Sequence, residues 1–247
     1  MTALEAALVV IAGFVSGVVN TIAGGGSLLT VPLLVMIGLP GTVANGTNRI
    51  AVLVQSIVGA WRFRAEGVSG FRPVLPVLLP MLVGAGIGAY GVAHLDDTSF
   101  ERLFGVVMLL LLLPALFPPR DTAVGDERPP MSPLTSTLTF FAIGLYGGSF
   151  QAGVGLFLVL ALARMGHGLV LANSIKMVAV GAFTVIAVGI FVYEGQVVWI
   201  PALLLSAGTS LGAALGARIA VRGGERVIRP ALALAVVALA GKMLGIY

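Results

Sequence analysis

Long apolar runs alternate along the chain with short stretches where charged residues, prolines or glycines gather. With those stretches as boundaries, the apolar segments are 4–37, 42–61, 74–93, 100–117, 134–165, 169–193, 197–217 and 228–246. Several of these segments approach or exceed the roughly 20 residues that a helix needs to cross a bilayer. The pattern therefore predicts an all-α integral membrane protein that crosses the bilayer many times.

The composition agrees with this prediction. Of 247 residues, 58% are hydrophobic and 10% are charged, with a mean hydropathy of +1.08, whereas soluble domains carry about 25% charged residues. The first run contains Glu5 and no positively charged start, so we interpret it as a membrane segment and not as a cleaved signal. The chain has no cysteine, which excludes disulfides and thiolate metal ligands. Its basic residues flank the apolar segments, so the expected surroundings are the lipid bilayer, without a nucleic-acid partner.

A polar connection at 118–133 divides the chain into two halves with a similar pattern. At a constant shift of 128 positions, many residues of the first half coincide with the same residue type in the second. The pairs include Asn45 with Asn173, Glu66-Gly67 with Glu194-Gly195, Pro73 with Pro201, Gly84 with Gly212, and Gly88 with Gly216. The sequence thus predicts a first membrane repeat at 1–117 and a second at 134–247, together forming a single transport domain.

Basic and non-basic loops exchange places between the two repeats. The stretch 62–72 contains three arginines, whereas the corresponding loop around Glu194 has no basic residue. Conversely, the loop at 94–101 is acidic, and its counterpart at 218–229 carries four arginines. Because cytoplasmic loops accumulate Lys and Arg, this exchange predicts two inverted repeats of about four helical segments each, as in many secondary transporters.

Three consecutive glycines interrupt the first apolar segment within NTIAGGGSLLTVP, residues 20–32, and the second repeat has glycines at the matching place, 151–155. Irregular backbone at membrane depth is tolerated only where it is buried in protein or lines a cavity. We therefore predict that the first element of each repeat is broken or re-entrant, with breaks near 20–30 and 148–156. Paired breaks of this kind mark binding sites in transporters. Isolated Gly-xxx-Gly pairs are interpreted as packing contacts between helices; these are Gly84/Gly88 and Gly212/Gly216.

The apolar segments 42–61 and 169–193 each contain one cation and no Asp or Glu. Arg49 shares a helical face with Asn45 and Asn48, and Lys176 shares one with Asn173. A buried cation without a partner is costly, and an anionic substrate could supply the missing charge. The alternative is that both side chains extend to the membrane interface, since each lies within two turns of a segment start.

Several of these stretches resemble the sulfite exporter TauE/SafE family. NTIAGGGSLLTVPLL and GLPGTVANGTNRI resemble its first repeat, and GLYGGSFQAGVGLFLVLAL, LANSIKM, YEGQVVWIPALL and LGARIAVRGG resemble its second. The resemblance covers nearly the whole chain and implies a plasma-membrane permease that exports sulfite or an organosulfonate such as sulfoacetate. Many family members carry an acidic residue where this chain has Asn20 and a lysine where it has Arg49, so the implied site attracts anions without that carboxylate.

The sequence thus predicts a secondary transporter, not an enzyme, that moves a small anion by alternating access between the two repeats. No cofactor and no metal site are expected. The candidate substrate-binding residues are Asn20, Thr21, Gly24, Gly25, Gly26, Ser27, Asn48, Arg49, Gln151, Asn173 and Lys176. Their expected roles are backbone N–H donors, neutral hydrogen-bonding side chains, and two cations. An anion channel, a scaffold without transport and a membrane enzyme remain as alternatives, and a homodimer is left open.

Overall fold

The computed structural model describes residues 1–110, 131–224, 226–228 and 230, and all regular secondary structure in these ranges is helical. The long helices and their shorter neighbours are α1 (Ala3–Ile22), α2 (Ser27–Met36), α3 (Gly41–Ala65), α4 (Leu75–Ala93), α5 (Asp97–Leu110), α6 (Pro133–Ser149), α7 (Val154–Arg164), α8 (Leu169–Tyr193) and α9 (Trp199–Gly223). Four of them, α1, α4, α8 and α9, are long and apolar enough to cross a membrane. The predicted all-helical membrane protein is confirmed.

The two predicted helix breaks are also confirmed. The apolar segment 4–37 consists of α1 and α2, separated by residues 23–26, and the segment 134–165 consists of α6 and α7, separated by residues 150–153. The segment 169–193 coincides with α8. Other predicted segments differ from the observed helices by a few residues. For example, α9 continues six residues past the predicted end at 217. Residues 111–130, which contain most of the predicted connection, and 231–246 of the last segment lie outside the described residues.

Local sequence explains where the helices start. Thr2 and Glu5 form a reciprocal capping box at the start of α1, with each side chain accepting a hydrogen bond from the backbone N–H of the other residue. Ser132 caps α6, and Pro133 follows it at the first helical position. Gly153 precedes α7 with φ +70°, a left-handed conformation that glycine adopts without steric cost.

Two pairs of helices, α1 with α9 and α4 with α6, pack closely through glycines. A Cβ atom added to Gly212 would lie 2.9 Å from the backbone nitrogen of Val18, and one added to Gly144 would lie 2.7 Å from the Cα of Met81. The predicted packing role of the Gly-xxx-Gly pairs is confirmed. In both helix pairs, residues further along one helix contact residues further along the other. The two helices of each pair therefore run parallel.

The centre of the molecule is more polar than its periphery. Helices α3 and α8 pack against each other there, and Arg49 and Lys176 are among the largest fully buried side chains. Leucines such as Leu79 and Leu203 are 71% and 62% exposed on the outside. This distribution suits a surrounding of lipid, where apolar side chains face outward and polar ones face the protein interior.

The two ends of the helix bundle differ in charge. Arg62 of the first half and Arg218 of the second half line one groove at the same end. At the opposite end, His94 Nε2 lies 3.8 Å from Glu194 Oε1, and Asp97 accepts hydrogen bonds from the backbone N–H and hydroxyl of Thr42. We call these the basic end and the acidic end.

Candidate functional site

The two helix breaks meet in the interior. A Cβ atom added to Gly24 would lie 2.7 Å from the Cα of Gly155, and one added to Gly155 would lie 2.6 Å from the Cα of Gly24. Gly24 also has φ +89°. Only a residue without a side chain permits both this conformation and this approach. The glycine triplet therefore brings the two interrupted elements into backbone contact.

Lys176 of α8 reaches the end of α1. Its ammonium group donates to the carbonyl oxygens of Asn20 at 2.7 Å and Thr21 at 3.0 Å, and to Asn173 Oδ1 at 2.6 Å. The last carbonyls of a helix lack intrahelical partners and carry a partial negative charge. Lys176 thus caps, from the second half of the chain, the helix that precedes the first break.

Arg49 of α3 does the same for α6. Its guanidinium donates to the carbonyl oxygens of Gly147 and Gly148, the latter at 2.7 Å, and to Oε1 of Gln151. Gln151 has φ +62°, so its side chain leaves the break in an orientation that a regular helix would not provide. The two cations therefore cap helix ends reciprocally, each serving the broken element of the other half.

Two asparagines of α3 form hydrogen bonds with both broken elements, one with α2 and one with the end of α6. Asn48 Oδ1 accepts a hydrogen bond of 2.7 Å from the Thr30 hydroxyl of α2, and Asn45 Nδ2 donates one of 2.9 Å to the carbonyl of Ser149. Several buried polar atoms here have no hydrogen-bond partner within the described residues; they are Thr21 Oγ1, Asn45 Oδ1, Asn48 Nδ2 and Arg49 Nε. Buried polar groups are nearly always paired in folded proteins. Four unpaired groups around one junction are typical of a place that receives water or a ligand.

The structure brings all the predicted site residues into the protein interior around the two breaks. The side chains of Asn20, Thr21, Ser27, Asn48, Arg49, Gln151, Asn173 and Lys176 are all at most 8% exposed. The alternative that the two cations extend to the membrane interface is wrong, because Arg49 is 0% and Lys176 is 1% exposed. Gly26 also has a packing role, since a Cβ atom there would lie 2.6 Å from Ser16 Oγ and from Asn20 Cβ. It allows the chain to turn back closely against α1.

Sequence reasoning missed the acceptors of the two cations. The carbonyls of Gly147 and Gly148, which accept from Arg49, and those of Asn20 and Thr21, which accept from Lys176, are backbone groups that no side-chain motif identifies. Sequence reasoning also missed Thr30, whose hydroxyl donates to Asn48 Oδ1. The only available signal was positional. At the shift of 128 positions Arg49 aligns with Met177, the residue after Lys176, but each cation follows the break of its own half by the same distance along the chain.

No acidic side chain is among the buried residues that the structure describes, so the two cations give the interior a formal charge of +2. No group of three or more metal-ligating side chains occurs within the described ranges. Chemically, the junction offers cations, neutral donors and the N-terminal ends of α2 and α7. This set can bind an anion.

Matching contacts between the two halves of the chain lie at the two ends of the bundle. At the basic end, Ser174 Oγ donates to the carbonyl of Val68 at 3.1 Å. At the acidic end, a Cβ atom on Gly46 would lie 3.2 Å from the carbonyl carbon of Gln196, and Gln196 Nε2 donates to the carbonyl of Ala93 at 2.8 Å. Gly46 and Val68 correspond to Ser174 and Gln196 at the shift of 128 positions. The same pair of repeat positions thus forms a contact between the two halves at each end.

Known proteins are similar in sequence to this chain over most of its length. The family profile described as Sulfite exporter TauE/SafE matches residues 9–243. Membrane transporter proteins, each named as probable, are similar to the chain. That from Sinorhizobium is 31% identical over 96% of this chain and 92% of its own, and that from Haemophilus influenzae is 28% identical over 94% and 91%. The protein YfcA of Escherichia coli K12 is 24% identical over 93% of this chain and 86% of its own. No solved structure matches the chain.

These relatives agree with the structure. Apolar helices of membrane-spanning length surround a polar junction, and the curated relatives are named as membrane transporters over the same length of chain. The chain is an integral membrane protein of the transporter class, and it belongs to the sulfite exporter TauE/SafE family.

Proposed function

We propose that the protein is a secondary transporter of a small oxyanion, sulfite or an organosulfonate, which binds where the two helix breaks meet. The observation that carries the proposal is the reciprocal capping by Arg49 and Lys176 around the contact between Gly24 and Gly155. The sulfur-containing substrate comes from the family description. The anionic character comes from the charges of the junction itself.

The electrostatic balance favours an anion. The C-terminal ends of α1 and α6 each carry about −0.5 elementary charge, and the N-terminal ends of α2 and α7 each carry about +0.5. These partial charges cancel in pairs and leave the +2 of Arg49 and Lys176. A divalent anion such as sulfite would neutralise that charge, and a sulfonate would neutralise half of it. Buried charges are stable only when they are compensated in this way.

The arrangement of helices supports transport by alternating access between two inverted repeats. Helices α1 to α4 and α6 to α9 correspond in order, α3 and α8 have 25 residues each, and α1 packs on α9 in the way that α4 packs on α6. The two closing contacts, at Val68 and at Gln196, occupy equivalent positions at opposite ends. Opening one while the other stays closed would expose the junction to one side of the membrane at a time. We place this exporter in the plasma membrane, with the basic end in the cytoplasm.

The first experiment measures ligand binding by thermal stabilisation of the purified protein. Sulfite, a small organosulfonate, sulfate, chloride and the corresponding cations are added separately, and a ligand that binds the folded state raises the apparent unfolding temperature. We expect stabilisation by sulfite or the sulfonate. Stabilisation by cations alone would contradict the proposal.

Thr21→Val tests the site without disturbing the fold. The Thr21 hydroxyl is buried and has no hydrogen-bond partner in the part of the chain that the structure describes. Valine of similar shape therefore leaves the free energy of unfolding equal or higher while removing one potential donor to the anion. We expect weaker stabilisation by sulfite, by about fivefold in affinity for one hydrogen bond of about 1 kcal/mol. Thr184→Val is the matched control, because Thr184 is equally buried and also lacks a partner among the described residues, but lies two turns along α8 from Lys176. Equal effects of both substitutions would contradict the assignment of Thr21.

Flux through liposomes separates a carrier from a channel. A carrier that alternates between two closed ends shows counter-exchange, in which unlabelled sulfite inside the vesicle accelerates uptake of labelled sulfite. An open pore shows no such acceleration. We expect counter-exchange, because in the proposed mechanism the contacts at Val68 and at Gln196 open in alternation and never together.

A further inference from the structure

A groove with a volume of about 260 Å³ lies between α3 and α9 at the basic end, outside the candidate substrate site. It is lined by Val58, Trp61, Arg62, Ala214, Leu215 and Arg218. The first three residues belong to the first half of the chain and the last three to the second. The groove therefore spans the contact between the halves and opens on the outside of the bundle.

The polar part of this groove consists of two guanidinium groups. Arg62 Nη2 lies 3.0 Å from Oε1 of Glu66, the residue that follows α3, and this contact fixes one side of its guanidinium group. Arg218 is exposed. Planar guanidinium groups bind phosphate oxygens in pairs and do so better than an ammonium group. Two of them in one groove, with a single carboxylate beside them, favour an anionic ligand.

The remainder of the groove is apolar and continues towards the centre of the membrane. Trp61 is 66% exposed at the end of α3, a position typical of tryptophan at the boundary between lipid and water. Leu211 lies one turn of α9 before Leu215 and is 65% exposed. A ligand with its charged group at the arginines would therefore place any attached chain along exposed apolar side chains.

We propose that this groove binds an anionic phospholipid, with its phosphate on Arg62 and Arg218 and its acyl chains along Val58, Leu211 and Leu215. Basic pockets between membrane helices at the cytoplasmic side bind the headgroups of such lipids. A soluble anion would use the two arginines but not the apolar wall. The bound lipid connects α3 of one half to α9 of the other and stabilises their contact.

The test counts bound lipid by native mass spectrometry of the purified protein with phosphatidylglycerol, phosphatidylcholine or inorganic phosphate. The variant Arg62→Gln/Arg218→Gln removes both guanidinium groups. The matched control Arg64→Gln/Arg222→Gln removes two charges from the ends of the same helices but not from the groove lining. Circular dichroism and stabilisation by sulfite show that each variant is folded.

We expect the wild type and the control to bind phosphatidylglycerol more tightly than phosphatidylcholine. The groove variant should lose about fivefold in affinity for each arginine removed, about 25-fold in all. Glu66→Gln frees Arg62 and should bind phosphatidylglycerol at least as tightly as the wild type. Equal weakening in the groove variant and the control would overturn the proposal. Displacement of phosphatidylglycerol by inorganic phosphate would also overturn it, and would assign the groove to a soluble anion.

Discussion

Arg49 and Lys176 each complete a helix that belongs to the other half of the chain. Their donors reach successive backbone carbonyls at the ends of α6 and α1, where the partial negative charge of a helix is concentrated. A carbonyl is a weaker partner than a carboxylate, so each cation retains attraction for an anion. The same two side chains can thus stabilise the fold and prepare the site.

Lys176→Met should destabilise the protein by about 1–3 kcal/mol, because the carbonyl of Thr21 and Oδ1 of Asn173 lose a buried donor. Methionine has a similar length and leaves no large cavity. The free energy of unfolding in detergent measures the effect. Arg164→Met is the control, because Arg164 is exposed at the end of α7 and surface changes stay within about 0.5 kcal/mol. Unfolding energies equal to that of the wild type for both variants would contradict the capping role.

The broken elements depend on glycine for two separate reasons. Gly24 has a left-handed conformation, and it also touches the backbone of Gly155 in the other half. The left-handed conformation alone would require a glycine here but no contact with the other half of the chain. The contact is what makes the two breaks a single junction.

Comparison of Gly24→Ala with Gly38→Ala separates these two reasons. Gly38 has φ +96°, close to the +89° of Gly24, but a Cβ atom there would meet no described residue within 4 Å. We expect Gly38→Ala to cost about 1 kcal/mol for the backbone conformation. Gly24→Ala should cost at least about 2 kcal/mol more, since the added methyl group overlaps Gly155. Thermal unfolding and sulfite binding measure both variants, and equal costs would show that the junction tolerates separation.

The start of α5 should respond to acid. Ser99 donates from its backbone N–H and its hydroxyl to the carboxylate of Asp96, and these hydrogen bonds lower the pKa of Asp96. A lowered pKa means that the stabilisation is present above about pH 4, the unfolded value, and is lost as the pH falls through the folded value. Asp96→Ala should therefore have a lower unfolding temperature than the wild type at pH 6, with a smaller difference at pH 3. A difference that is constant with pH would contradict this cap.

Charge separates the two ends of the bundle even though both halves contribute to each. The basic end combines arginines in the last turn of α3 with arginines of α9, and the acidic end combines the loop after α4 with the loop after α8. Since basic loops stay in the cytoplasm, the separation predicts one orientation for the whole protein.

Cysteine labelling tests this orientation on a chain that has no native cysteine. Arg64→Cys and Arg222→Cys, one from each half, should react with a membrane-impermeant maleimide only after the cells are opened. Glu101→Cys and Glu194→Cys should react in intact cells. A result in which Arg64→Cys and Arg222→Cys label from opposite sides would contradict the inverted repeats.

Sequence predicted the helices and the breaks well because both follow from local properties. Apolar length defines membrane helices, and three glycines at 24–26 interrupt one wherever they occur. The buried position of Arg49 could be suspected but not decided, because a position near a segment start permits either burial or extension to the interface. The carbonyls at Gly147 and Gly148 could not be predicted, since every residue has a carbonyl and only the packing of α3 on the end of α6 selects these two.

Reciprocal capping has a consequence for how the protein is made. When α1 first enters the membrane during synthesis, Lys176 has not yet been translated. The carbonyls of Asn20 and Thr21 therefore lack the hydrogen bonds that Lys176 later donates. Until α8 inserts, the end of α1 is uncapped, and we expect the first half to be a substrate for quality-control proteases. Expressed separately, the two halves should each be degraded, and expressed together from two genes they should protect one another.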